Sequence, residues 1–377
     1  MILSNLKIVL PDSVIENGYI EIRDEQIFKV ASGSYLGKEE VIDCTSLIAM
    51  PGFIDLHIHG SVGIDFMDAK KDDYKLISAS LYEEGVTSYL ATTLTSDHDS
   101  LVKVCESVKE AKKDNPSLLG IHFEGPYISA KYKGAQNEAF IRNPDINELK
   151  ELIAVSGNNV RYISMAPEKE GALEFVKFAS SNGVTVSAGH SDASMDQVGE
   201  AIKYGLTNTT HTHNAMSGHH HRNPGVLSAA FYYDNLYREF ISDMIHVCPN
   251  ALKLSYKIIG SDHFMIITDA LKAKHSELDS FELFGLPCIK KDGAAYLTSG
   301  PLAGSLLSFD QGVRNINSLV KPSLSELSKI SSLNQAKSLH LTDRGELKEG
   351  KLADIVLLDN NLQVKKTIKS GKIVFSK

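Results

Sequence analysis

The chain has 377 residues, 42% of them hydrophobic and 23% charged, and a formal net charge of -8. This supports a large core with a small accessory unit and excludes a disordered chain, while the acidic balance and the lack of any basic run exclude non-specific nucleic-acid binding. No apolar run approaches the roughly 18 residues a membrane span needs.

The N-terminal stretch "MILSNLKIVLPDSVIENG" breaks its apolar run at Pro11 and Asp12 and has no cleavage-site pattern, so it does not read as a signal peptide. Four scattered cysteines, Cys44, Cys105, Cys248 and Cys288, form no C-x-x-C pair. They argue against a disulfide framework and fit a reducing cytoplasm. "LKIVL", "YIEIR", "QIFKV" and "VIDC" then read as short strands separated by turns.

From residue 51 the pattern changes. Apolar strand candidates at 53–58, 87–92, 118–123, 160–165, 183–188, 206–210, 240–244 and 263–268 alternate with amphipathic stretches such as 73–84, 98–113, 171–181 and 194–204. Alternating strands and helices favour a parallel sheet, and eight such strands fit a closed barrel. The end of the chain returns to strands in "ADIVLLD" and "VKKTIKSGKIVF", with a hairpin turn at Ser370-Gly371. The expected architecture is α/β, a (β/α)8 TIM-like barrel over 51–343. A small β-sandwich unit would be assembled from both termini, residues 1–50 and 344–377, since strands left alone at either end would expose their edges.

In such a barrel the chemistry gathers where the strands end. The first strand runs into His57 and His59, the third into Glu124, the fifth into His190 and the sixth into His211. His246 follows the seventh, and Asp269 ends the eighth. Imidazoles with a carboxylate are natural ligands of a divalent metal. Each signal has an ordinary reading as well. His57 and His59 could be a surface pair, Glu124 could precede a turn at Gly125-Pro126, and Asp269 could cap a helix. "GHHHR" at 218–222 could be a solvated loop, and His98, His263, His275 and His340 read as ordinary residues. Their joint placement at strand ends favours a metallohydrolase.

"PGFIDLHIHG" (51–60) and "GELKEGKLADIVLLD" (345–359) resemble the first-strand and C-terminal signatures of the amidohydrolase superfamily. Six further pieces resemble the N-acetylglucosamine-6-phosphate deacetylase family within it. They are "GIHFEGPYI" (120–128), "AGHSDA" (188–193), "THTHNAM" (210–216), "HHRNPG" (220–225), "ITDAL" (267–271) and "GPLAGSLLSFDQGVRN" (300–315). The resemblance implies metal-dependent hydrolysis of a sugar-phosphate acetamide, with a zinc or iron ion, one or two per chain. It assigns Glu124, His190 and His211 to the main ion, His57 and His59 to a second, and Asp269 to acid–base catalysis. Asn214, Ala215, Arg222 and His246 match positions that bind the sugar phosphate; Ala135, Gln136, Leu302, Ala303 and Gly304 match positions lining the sugar. A homodimer is implied, with the phosphate anchor supplied across the subunit boundary. The galactosamine epimer and other amide substrates of the superfamily stand as alternatives. The chain departs from the family pattern at Gln136, where many relatives carry histidine, and at His213, where an apolar or aromatic residue is usual.

Overall fold

The computed structural model describes residues 1–377. Eight parallel strands form the central sheet and are numbered in chain order: β1 Phe53–Ile58, β2 Val86–Thr93, β3 Leu118–Glu124, β4 Val160–Met165, β5 Thr185–Ala188, β6 Leu206–Thr209, β7 Tyr237–Ile241 and β8 Phe264–Ile267. Each pairs with its neighbour in sequence. The seam between β8 and β1 is closed just beyond the strand ends, where Asp269 N–H donates to the His57 carbonyl at 2.8 Å and His59 N–H to that of Ala270 at 2.9 Å. The buried Asp55 carboxylate ties the same seam from the side, accepting from Thr268 Oγ1 at 2.6 Å. Closure thus depends on the residues that introduce the site.

The helices follow the expected amphipathic stretches: Asp73–Glu83, His98–Ala111, Ala172–Ser181 and Met195–Lys203. Local chemistry sets their starts. Asp97 accepts from Ser100 N–H, and Ser194 with Gln197 forms a reciprocal capping box. Their apolar faces join the strands in a core of 63 buried residues, including the stacked pairs Phe53–Phe309 and Phe240–Phe264.

The strands of the two termini form a mixed eight-stranded sheet. In it, Ile48–Pro51 lies between Ile2–Val9, parallel, and Ile355–Leu358, antiparallel. A central strand is therefore sandwiched between the beginning and the end of the chain. Period-two alternation divides the side chains of this strand and its C-terminal neighbour between two cores: Ile48, Met50, Val356 and Leu358 join the large one, and Ala49, Ile355 and Leu357 a separate cluster of 13. The expected hairpin is present, with Ser370 at φ 46° and Gly371 at φ 74° between Val364–Lys369 and Lys372–Ser376. Both positive angles suit the tight primed turn.

Two expectations change. The seventh strand starts three residues earlier than its apolar residues suggest, at Tyr237, because Arg238 and Glu239 are buried within it. Arg238 satisfies its guanidinium on the carbonyls of Ala230, Tyr233, Asp234 and Leu236. An antiparallel meander, Ser280–Leu283, Leu286–Lys291, Ala294–Leu297 and Leu302–Ser305, follows β8 and was not anticipated. Its turns at Phe284-Gly285 and Asp292-Gly293 have positive φ throughout. The Asp-Gly pair was the readable signal for it.

Candidate metal centre

Three of the expected residues sit two positions beyond their strands in the left-handed backbone region: His190 after β5 (φ 49°), His211 after β6 (φ 28°) and Asp269 after β8 (φ 50°). Such angles are costly for residues with a Cβ and persist where surrounding structure over-determines them. Here each strand stops and the next side chain is turned into the mouth of the barrel. No helix follows Asp269, so its reading as a cap falls away.

Glu124, at the end of β3, is the centre of the arrangement. Its Oε1 lies 3.0 Å from His211 Nε2, 3.1 Å from His190 Nε2 and 3.3 Å from His57 Nε2. Its Oε2 lies 3.4 Å from His59 Nε2 and accepts from Gln136 Nε2 at 2.5 Å. The opposite end of the Gln136 amide is held by Thr95 N–H at 2.7 Å. Asp269 Oδ1 is 3.1 Å from His59 Nε2 and 3.5 Å from His57 Nε2. Two sets of three potential ligands result, Glu124–His190–His211 and His57–His59–Asp269, all buried, each with its donor atoms within 4.8 Å of one another.

The donor chemistry fits divalent ions. His190 and His211 bring their Nε2 atoms to 3.1 Å, and His57 and His59 to 3.3 Å. Each close pair has room for at most one N–H, so lone pairs face a common point. Electrostatics agree. Burial opposes a charged His57, but Glu124 and Asp269 outweigh it and hold its pKa well above the ordinary value. Burial likewise opposes charge on His59, whose pKa is nevertheless pushed up to about 9 by Asp269 and Glu124. Burial would raise both carboxylates, yet His57 and His190 hold Glu124 well below its usual range, and His57 and His59 lower Asp269. Positive charge is thus favoured at this spot. A cation and a proton compete for the same nitrogen lone pairs, so metal affinity falls with falling pH. Three protein ligands per set, with the remaining direction open to a cavity, is the pattern of a catalytic rather than a structural site.

That cavity, of about 140 Å³, is lined by His59, Glu124, His190, His211 and Asp269. Ala135, Gln136, Asn214, Ala215, His246, Leu302, Ala303 and Gly304 also line it. Thirteen of the expected residues, from separate strand ends and loops, therefore line one cavity, and His57 lies beside them against Glu124 and Asp269. Burial opposes charge on His246, but Asp243 Oδ2 at 2.6 Å from its Nδ1 raises its pKa. The Leu302–Ser305 strand is pressed over the rim by Ser305 N–H to Asp269 O (2.9 Å) and Leu271 N–H to Ser305 O (3.1 Å). A Cβ on Gly304 would stand 2.9 Å from the Leu271 side chain and 3.1 Å from the Asp269 carbonyl, so this close approach requires glycine.

Arg222 is not brought to this cavity. Its side chain is exposed on the 219–223 loop, beside a separate shallow groove. His213 points away too, its Nε2 2.8 Å from Ser255 Oγ and its ring against Phe231 and Phe240. Burial lowers its pKa. Glu239, Thr95 and the Tyr132 carbonyl, which accepts from His190 Nδ1 at 2.8 Å, were missed from the sequence. Only Glu239 left a trace there, as an acid inside a strand.

The chain is similar to known proteins over nearly its whole length. The amidohydrolase family model matches residues 48–374. The chain is 36% identical over 376 residues to the N-acetylglucosamine-6-phosphate deacetylase of Lysinibacillus sphaericus, covering 99% of this chain and 97% of that one. The crystal structure of the Thermotoga maritima N-acetylglucosamine-6-phosphate deacetylase matches at 36% identity with a TM-score of 0.92, covering 100% of both chains. A mutant N-acetyl-D-glucosamine-6-phosphate deacetylase from Mycobacterium smegmatis, in complex with N-acetyl-D-glucosamine-6-phosphate, matches at 27% identity with a TM-score of 0.95, covering 100% of this chain and 99% of that one. The chain belongs to the amidohydrolase family.

Proposed function

We propose that the chain hydrolyses the acetamide of N-acetyl-D-glucosamine 6-phosphate to D-glucosamine 6-phosphate and acetate, a step of amino-sugar catabolism. The observation that carries this reading is the Asp269 carboxylate on the cavity wall, beside a complete Glu124–His190–His211 ligand set. A protein that only bound sugar or metal would need no proton carrier there. The relatives' substrate supplies the rest of the reading.

Glu124, His190 and His211 would hold one divalent ion, zinc or iron, with His57 and His59 available for a second. When bound, such an ion supplies Lewis acidity, lowering the pKa of water from about 15.7 towards about 7 and polarising a carbonyl. Asp269 accepts the proton of the attacking water as the C–O bond forms at the acetyl carbon. It then delivers that proton to the amine nitrogen as the C–N bond breaks. Gln136, oriented by Thr95, keeps Glu124 in place with an N–H that cannot ionise, unlike a histidine there. Asn214, Ala215 and His246 border the sugar phosphate, and Ala135 with the 302–304 strand borders the ring. Arg222, exposed on its own subunit, would complete a neighbour's site in a cytoplasmic homodimer. Its planar fork matches two phosphate oxygens. The division into 1–50 with 344–377 and 51–343 belongs to the same reading.

Acetate release after metal reconstitution tests it, using the glucosamine and galactosamine N-acetyl 6-phosphates and their unphosphorylated forms. Fastest release from the glucosamine 6-phosphate is expected. Preference for the galactosamine epimer would replace the substrate assigned, and no release from either phosphate would overturn the function. Arg222→Ala should cost about ten- to hundredfold in kcat/KM on the phosphorylated sugar and little on the other, as charged hydrogen bonds contribute roughly 1.5–3 kcal/mol. Arg222→Lys should recover part of it, and dilution to monomers should mimic the loss. Equal losses on both sugars would return Arg222 to a solvated loop. Gly304→Ala should raise KM more than it lowers kcat, because its methyl displaces the rim rather than the ligands; steady-state kinetics would show an unchanged KM if that contact were unimportant.

No helix of the chain is long and apolar enough to cross a membrane.

A further inference from the structure

Glu239 lies on β7, fully buried and behind the cavity wall. Its Oε1 accepts from Tyr162 Oη–H at 2.6 Å. Its Oε2 lies 3.3 Å from His57 Nδ1 and accepts the backbone N–H of His211 at 3.2 Å. Its backbone carbonyl accepts Thr212 N–H at 2.7 Å. No lysine or arginine pairs with it; its only ionic neighbour is His57. A carboxylate buried with so little compensation is costly unless its geometry is used.

We propose that Glu239 is a positioning residue shared by both ligand sets, through which occupation of one set favours occupation of the other. This rests on the reading that both sets hold ions. One carboxylate oxygen touches a member of each. On His57 it fixes the N–H at Nδ1 and leaves the Nε2 lone pair facing Glu124 and Asp269. His211 is governed differently: its Nδ1 is buried without a partner. What holds that imidazole is its left-handed backbone, whose N–H and whose successor's N–H both end on Glu239. An ion that orders His57 therefore also fixes the acceptor that orders His211, and the reverse.

The test is zinc titration by calorimetry of the metal-free wild type, Glu239→Gln, Tyr162→Phe and His57→Ala, with thermal melting to confirm folding. Glu239→Gln keeps the shape and removes the charge, and should weaken zinc roughly 10–100-fold at both sites. Tyr162→Phe leaves the carboxylate less firmly held and should weaken both by a smaller factor. His57→Ala should weaken its own site strongly and the other detectably. A purely structural Glu239 would lower the melting temperature of the metal-free chain while leaving zinc affinity unchanged, and that result overturns the proposal. So does weakening at one site only. If Glu239→Gln does not fold, wild-type affinities in Tyr162→Phe overturn it equally. Wild-type chain that takes up no zinc would instead overturn the metal reading itself.

Discussion

Glu124→Ala should retain the fold but lose most bound metal and more than about 10³-fold in turnover, as water returns from a pKa near 7 towards about 15.7. The reason is the number of partners gathered on one carboxylate. All four imidazole Nε2 atoms of the centre lie between 3.0 and 3.4 Å from its two oxygens, and Gln136 donates to it as well. Removing it takes away an anion that favours positive charge on the buried His57 and His59, so a cation loses both a ligand and local negative potential. Metal content by elemental analysis and turnover should fall together. His190→Ala and His211→Ala should follow the same course, whereas His57→Ala or His59→Ala should chiefly remove a second ion. Wild-type metal content in Glu124→Ala would overturn the ligand assignment.

Asp269→Asn should lower kcat by roughly 10²–10⁴-fold while the ion at Glu124–His190–His211 and substrate binding persist. Asparagine keeps the shape and can still meet His59, but it cannot take a proton from water and return it to nitrogen. The backbone at this position is already fixed by the hydrogen bonds that close the barrel, Asp269 N–H to His57 O and Ser305 N–H to Asp269 O, and the substitution leaves both intact. Single-turnover kinetics, with substrate affinity measured in parallel, separates the effects. Near-normal turnover would mean that the carboxylate has no part in proton transfer. Loss of binding equal to the loss of turnover would make Asp269 a ligand of the substrate instead.

Much of this centre was legible residue by residue. Apolar runs ending in histidine or acid marked the ends of β1, β3, β5 and β8, because a strand buried on both faces has few reasons to carry an ionisable group. Where charge itself was buried inside a strand, the same logic failed. Arg238 and Glu239 made the start of β7 read as loop, since their burial rests on partners elsewhere: four carbonyls for the arginine, and Tyr162, His57 and His211 for the acid.

The sequence by itself determined the residue types, the alternation of strand and helix and the hairpin turn at Ser370-Gly371. These depend on side-chain period and on turn chemistry within a few neighbouring residues. Only the tertiary structure decided that Glu124 stands among four imidazoles, that Asp269 faces a cavity instead of capping a helix, and that Arg222 lies outside that cavity. The contact between His57 and Glu239 joins residues 182 positions apart, and that between Glu124 and His211 joins residues 87 apart. Such pairs are made by barrel closure, in which every strand end is brought to one rim, and no local pattern specifies which side chains then meet.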